Sequence, residues 1–257
     1  MVDLLRGDDE SSISVSRQTE AVLNEPDIYR EWEPPPEWRH AVACCWEQRV
    51  SADRVQRVLP DGHADLLIYE SDVVQVVGLQ DRVALPVLPK GTHIRGVRLR
   101  PEAVAAAFEV TASALRNLTV DGTDVFGSRR ARRLADPRAL DAWLRSIEPD
   151  RRTALATRLL ASHSVLDTAD MLGITARQLR RSLLTNLGLA PRTYQRVLRL
   201  QRFLAGAEEG RLGLATAAAA AGYADQPHLT RDVQALTGLT PARLLDERRR
   251  VPAPLGV

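Results

Sequence analysis

ITARQLRRSLLTNLGLAP (residues 174–191) is answered fifty residues later by ADQPHLTRDVQALTGLTP (residues 224–241). Leu179, Arg181, Gly188, Leu189 and Pro191 return as Leu229, Arg231, Gly238, Leu239 and Pro241, with Leu183 answered by Val233. Upstream, ADMLG (169–173) is echoed by AAAAG (218–222), with one residue of slippage. Two copies are too few for a solenoid, which stacks about three or more units. Each copy reads instead as two short helices joined by a glycine turn. That is the form of a helix-turn-helix, whose second helix enters the DNA major groove.

Local chemistry supports this reading in both copies. In the first, Val165, Ala169 and Leu172 place apolar groups on one face of a short helix, and Gly173 supplies a turn where φ > 0 would penalise any other residue. Thr175 fits as N-cap with Gln178 at the third position of a capping box. A helix over 176–187 would bury Leu179, Leu183 and Leu187 and present Arg177, Arg180, Arg181 and Ser182. Arginine suits bidentate contacts with guanine and equally with phosphate. In the second copy, 217–221 is a helix of small residues, Gly222-Tyr223 turns the chain, and Asp225 can cap a helix opening on Gln226 and Pro227. Proline is tolerated there because that N–H has no partner within the helix. Gln226, Thr230 and Arg231 lie near its front with His228 between them, and glutamine can bond adenine.

The candidate DNA-contacting residues are therefore Arg177, Arg180, Arg181, Gln226, His228, Thr230 and Arg231. An arginine-faced amphipathic helix taken alone is usually a solvated surface, and His228 fits a cap as readily as a base contact. Two copies in register are harder to explain that way. Between them PRTYQRVLRLQRFLAGA (191–207) carries an apolar stripe of Tyr194, Val197, Leu198 and Leu204. A spacer of about 14 helical residues rises roughly 21 Å. It could hold two recognition helices near one DNA turn apart, about 34 Å.

Composition agrees. Residues 151–257 hold 16 Arg against 8 Asp+Glu, while residues 1–150 carry a net −6, so the overall +2 conceals an acidic front and a basic back. That asymmetry fits a sensor joined to a polyanion binder. With 44% apolar residues the chain can bury a sizeable core. It has no run of about 18 apolar residues, and its N-terminus lacks an apolar signal core. A cytoplasmic protein with no membrane partner is expected.

Along the chain, residues 1–24 read as a flexible tail and EPPPEW (33–38) as a rigid, extended entry. AVACCW, RVQRVL, HADLLIYE, VVQVVG, RVALPVL and HIRGVRLR, between about residues 38 and 100, are short β-branched runs, several of them divided by turn signals. Six such strands point to a small antiparallel barrel or sandwich. PEAVAAAF (101–108) reads as helix. Ser128, Asp136 and the Glu148-Pro149-Asp150 segment mark the starts of three more helices. The expected fold class is α+β: a tail (1–24), a β-rich sensor or dimerisation domain (25–127), connecting helices (128–160) and an all-α double helix-turn-helix domain (161–250).

Cys44 and Cys45 are neighbours whose side chains would leave a strand on opposite faces, so buried apolar roles outweigh a shared ligand or redox site. His63, Asp65 and His93 invite a cupin-like metal reading, but no HxH or spaced carboxylate motif accompanies them. Trp38 and Trp46 read as core. No phosphate-binding glycine loop, nucleophile elbow or zinc-spaced pair occurs, so no catalytic residue, metal or cofactor is expected.

LGITARQLRRSLLTNLGLAPRTYQRVLRLQR followed by AAAAAGYADQPHLTRDVQALTGLTP resembles the double helix-turn-helix domain of AraC-type (arabinose-regulator) bacterial transcription factors. Gly222-Tyr223, Gln226, His228, Arg231, Gly238, Thr240 and Pro241 carry the resemblance. It departs where Leu183 and Val233 replace a usual Phe and Leu245 a common aromatic. YREWEPPPEW, ACCWE, RVLPDGHADLLIY and GVRLRPEAVAAAF are similar to an uncharacterised β-rich domain found ahead of such DNA-binding domains. The resemblance implies a sequence-specific regulator, not an enzyme, whose partners are double-stranded DNA and RNA polymerase, with a small effector and a second copy of the chain as further candidates. The rival reading is a β-barrel metal enzyme with a basic helical appendage.

Overall fold

The computed structural model describes residues 27–208 and 213–250. The expected tail lies outside the described residues.

Six antiparallel strands form one sheet in the order β1-β2-β7-β4-β5-β8: Ile28–Trp32 (β1), Val42–Arg49 (β2), Ala64–Tyr69 (β4), Val74–Val77 (β5), His93–Leu99 (β7) and Thr119–Asp121 (β8). A separate two-stranded ribbon pairs Arg54–Val55 (β3) with Val87–Leu88 (β6). The sheet is open: β1 and β8 stand at its two edges and do not pair with each other. The runs RVQRVL and RVALPVL contribute only this ribbon and a lone bridge between Val58 and Ala84. Pro60 and Pro89 end these runs and Pro86 interrupts the second, and proline lacks the N–H that a longer ladder would need.

Alternation along the strands gives the sheet two different faces. Ala64, Leu66 and Ile68 of β4 join Cys45, Val74, Val76, Val97 and Leu99 in the main core. The opposite face packs Trp46, Leu67 and Ile94 beneath Leu88 of the ribbon, with Cys44 beside them. The adjacent cysteines thus serve opposite faces as free thiols, and burial pushes both up to about 12. Arg98 also sits on the second face, 8% exposed, with Glu31 at 3.1 Å, Asp65 at 3.3 Å and Asp61 at 3.4 Å.

EPPPEW ends in a 3-10 turn, Pro36–Trp38, rather than staying extended. It buries Trp38, whose indole N–H donates to Asp141 at 2.9 Å. After a 3-10 turn at Pro101–Ala103 come helices α1 (Val104–Phe108), α2 (Gly122–Phe126), α3 (Ser128–Leu134), α4 (Pro137–Ser146) and α5 (Arg151–Leu160). Asp136 and Asp150 cap α4 and α5 as the sequence indicates. Ser128 does not cap α3. It is the first helical residue, and Gly127 precedes it at φ 75°, a conformation that serine would adopt only with strain. The remaining helices are α6 (Val165–Met171), α7 (Ala176–Asn186), α8 (Pro191–Glu208), α9 (Leu214–Ala220), α10 (Gln226–Thr237) and α11 (Pro241–Arg250).

The apolar core does not stop between the β-rich and helical parts. Leu66, Leu99 and Phe108 belong to the same buried cluster as Leu160, Leu179, Val197 and Val233. Polar contacts cross the junction as well. Arg57 donates to Glu247 at 2.7 Å and to the Thr237 carbonyl at 2.9 Å, and Gln201 donates to the Pro60 carbonyl at 2.6 Å.

Candidate nucleic-acid interface

The first helix pair is α6 and α7. Ser164 caps α6 by accepting from the Asp167 N–H at 3.2 Å. Gly173, at φ 63°, then turns the chain. Thr175 accepts from the Gln178 N–H at 3.2 Å while Gln178 accepts from the Thr175 N–H at 2.8 Å, so the expected capping box is complete. Such a box satisfies donors that the first turn leaves without partners. Leu179, Leu183 and Leu187 point inward at 1%, 0% and 0% exposure. Arg177, Arg180 and Arg181 stand exposed on the outer face, and among the described residues none has an ion-pair partner.

The second pair is α9 and α10, with Gly222 at φ 91° between them. Asp225 caps α10 by accepting from the His228 N–H at 2.6 Å, and Pro227 occupies the second helical position. Leu229, Val233 and Leu236 are buried. Gln226 and Arg231 are exposed, and Thr230 is half-buried between them. Gln234, exposed one turn beyond Thr230, extends the same face. The sequence reading passed over Gln234, although three- and four-residue spacing from Arg231 and Thr230 could have found it.

His228 is placed differently from the other six sequence-selected residues. Its Nε2 lies 3.5 Å from Asp232, its ring meets that of Tyr223 edge-on at 5.2 Å, and its Nδ1 faces the Ala224 N–H at 3.4 Å. It is the counterpart of Gln178, and both third-position side chains turn back onto the helix entry.

Asp232 is the centre of a network absent from the sequence reading. It is 8% exposed and accepts from Arg196 Nε at 2.9 Å and from Arg199 Nη2 at 3.2 Å. Both arginines come from α8, so a buried carboxylate ties α10 to the spacer. Arg199 also stacks over Tyr223 at 5.7 Å, and Tyr223 packs edge-on to Phe203 of α8. Burial pushes the Tyr223 phenol up to about 12.

The spacer α8 runs 18 residues, longer than the expected 14 or so, because Gly206 stays within the helix. Such a length corresponds to about 27 Å. Gln195 ties it to the first pair by donating to the carbonyls of Leu160 at 3.1 Å and His163 at 2.7 Å. No group of three or more His, Cys, Asp or Glu among the described residues is placed to hold a metal ion. No described helix is long and apolar enough to cross a membrane.

Comparison with known proteins assigns the two parts separately. Residues 168–247 match a family model described as a helix-turn-helix domain, and residues 30–121 match one described as a domain of unknown function. The first range is the AraC-type domain that the sequence resembles, and the second is a separate N-terminal domain. No curated protein matches. Among solved structures, an apo Lys-to-Ala variant of ToxT from Vibrio cholerae strain SCE256 aligns at 10% identity and TM-score 0.39, over 87% of this chain and 98% of that one. ToxT from Vibrio cholerae O395 aligns at 11% identity and TM-score 0.40, over 77% and 90%.

Proposed function

We propose that this chain is a sequence-specific DNA-binding transcription regulator, not an enzyme, with α7 and α10 as its two recognition helices. One observation carries the reading. Each is the second helix of a capped, glycine-turned pair, and each turns an uncompensated polar face to solvent: Arg177, Arg180 and Arg181 on α7; Gln226, Thr230, Arg231 and Gln234 on α10. Free guanidinium groups in that position suit guanine and phosphate, and free carboxamides suit adenine. His228 holds the α10 entry rather than reading a base. The 18-residue α8, about 27 Å long, is the spacer that joins the two units, and successive major grooves on one DNA face lie about 34 Å apart.

The N-terminal domain is the regulatory part, sensing a small effector or pairing two copies. The Arg57–Glu247 and Gln201–Pro60 contacts support this, because they give its loops a direct hold on α11 and the spacer. RNA polymerase is the expected downstream partner, in the cytoplasm of a bacterium.

Genome-wide mapping of fragments bound by purified protein tests the reading. Recovery of one motif with two boxes about a helical turn apart is expected. Dispersed recovery with no shared motif sinks it.

A further inference from the structure

A cavity of about 770 Å³ opens between α3 and α4, with Phe126 at the end of α2 closing one side. That is within the range of small-molecule sites, about 300–1,000 Å³. Its floor is aromatic: Trp143, 7% exposed, meets Phe126 edge-on at 5.7 Å. Ala139 and Ala142 keep the α4 wall low where longer side chains would fill the space.

The α3 wall is cationic. Arg129, Arg130 and Arg133 all line the cavity, and among the described residues no Asp or Glu does. Arg130 is already engaged, stacked 5.5 Å over Phe126 and bonded to Glu109 at 2.7 Å. The side chains of Arg129 and Arg133 are exposed, and among the described residues neither guanidinium has a hydrogen-bond or ion-pair partner. They sit one helical turn apart, a spacing at which like charges repel. Two uncompensated guanidinium groups over an aromatic floor match an anion carried on a flat apolar body: the forks of arginine pair with a carboxylate, and the rings accept the body by stacking.

We propose that this cavity binds a small aromatic or similarly flat organic carboxylate. The connection onward is short. Asp141 of α4 accepts from Trp38, the Ile147 carbonyl that follows α4 bonds His40 at 2.9 Å, and the Asp150 N–H at the start of α5 donates to the Glu102 carbonyl at 3.1 Å. Helix α5 leads into the first recognition pair. Binding itself does not depend on the regulator reading; only a consequence for DNA does.

Calorimetric titration of the full chain with 2-naphthoate and with the uncharged 2-naphthamide tests the site. Saturable naphthoate binding is expected, with the amide at least tenfold weaker, roughly 1.4 kcal/mol. The double variant Arg129→Ala/Arg133→Ala should lose a similar factor, and Ala142→Trp should abolish binding by filling the space, each with an unchanged melting curve. Equal binding of acid and amide, or full binding by the double variant, overturns the proposal. So does an absence of saturable heat up to about 10 mM ligand, beyond any useful affinity. A double variant that instead weakens DNA binding without any carboxylate present also overturns it, assigning these arginines to phosphate. A chain that binds naphthoate but no DNA keeps the site and removes the regulator reading.

Discussion

The two helix-turn-helix units share a sequence frame but are fastened to the molecule by different forces. The first is held by shape. Helix α7 packs against the turn at Ala112–Ala114, where the chain leaving α7 comes so close that a Cβ on Gly188 would lie 2.8 Å from the Ala112 carbonyl oxygen. The second is held by charge, with Asp232 buried between Arg196 and Arg199 of the spacer; its counterpart in the first unit is Ser182. A repeat can therefore preserve its caps and turns while each copy evolves its own attachment. The first unit meets the N-terminal domain by close backbone packing at Ala112, and the second meets it through Arg57, with its own buried ion pair made to α8, so a shift of that domain would reach the two units by different contacts.

The sharpest way to break this comparison is to make the same substitution in both copies. Gly188 and Gly238 are equivalent, at φ 87° and φ 75°. A left-handed conformation costs a residue with a side chain about 1–2 kcal/mol. At Gly238 nothing more is added, because the nearest atom to a new Cβ is Val83 Cγ1 at 4.0 Å. At Gly188 the backbone of Ala112 must also move. Gly188→Ala should thus destabilise by about 3 kcal/mol or more and Gly238→Ala by about 1. Equal melting temperatures for the two variants would show that the first unit is not locked by contact.

The next test removes the charge. Asp232→Ala leaves two partly buried guanidinium groups facing each other, and breaking a buried pair costs up to about 3–5 kcal/mol. Because Arg196 and Arg199 keep side-chain exposures of 34% and 24%, about 2–3 kcal/mol is expected here. Ser182→Ala should stay within about 0.5 kcal/mol, the usual range for surface changes. Denaturant midpoints measure both, and similar shifts in the two variants would erase the distinction.

These contrasts separate what was legible in the sequence from what was not. Thr175, Gln178, Asp225 and Pro227 act on backbone groups within three residues, so their roles can be read from local spacing alone. The inward leucines follow from helical period. Asp232 looked like one more polar residue because its partners lie 33 and 36 positions away on another helix. The close approach at Gly188 was hidden for the same reason: its neighbour is Ala112 of the other domain. Strands β1 and β8 were missed because each is an edge strand of 5 and 3 residues, too short to show alternation. The antiparallel β-rich domain was legible as such; that its sheet stays open was not, because pairing depends on where prolines interrupt a ladder and not on how many β-branched runs there are. Among the residues proposed for recognition, exposure agrees with sequence pattern for the arginines and Gln226. Only the folded contacts reveal that His228 faces Asp232 and Tyr223.

The outer faces offer a comparison in binding rather than stability. On the proposed reading, Arg180→Ala and Gln226→Ala should each cost on the order of 1–3 kcal/mol of specific affinity and relax base preference in one of the two grooves. Removing an arginine that serves phosphate lowers the salt slope by about 1, whereas removing a glutamine leaves that slope alone. Competition binding over a salt series, with operators altered one half at a time, separates these effects. If Gln226→Ala weakened all sequences uniformly, the division between a charge-led first unit and a hydrogen-bond-led second unit would be wrong. His228→Ala should act through the fold of α10, lowering affinity in both halves without changing base preference.

The smallest expected effect lies at the turn of the second unit, where Tyr223 follows Gly222 and the first unit has Ile174 after Gly173. The Tyr223 hydroxyl is buried and has no hydrogen-bond partner among the described residues. Removing such a group should be neutral or should stabilise by up to about 1 kcal/mol, so Tyr223→Phe is expected to melt no lower than the parent at pH 7. The pH dependence gives an independent reading. Burial raises the folded-state phenol from 10 to about 12, so the folded state holds its proton where the unfolded chain has already released it. Stability from this group is complete below pH 10 and is lost as pH rises toward 12. Tyr29 and Tyr194 are shifted upward by burial too, so the parent should lose melting temperature through this window from several sites at once. Tyr223→Phe should lose less, and the difference between the two curves isolates the second unit. A variant that tracks the parent up to pH 12 would show that the phenol is solvated, and that Phe203 and Arg199 do not enclose it as tightly as their ring contacts imply.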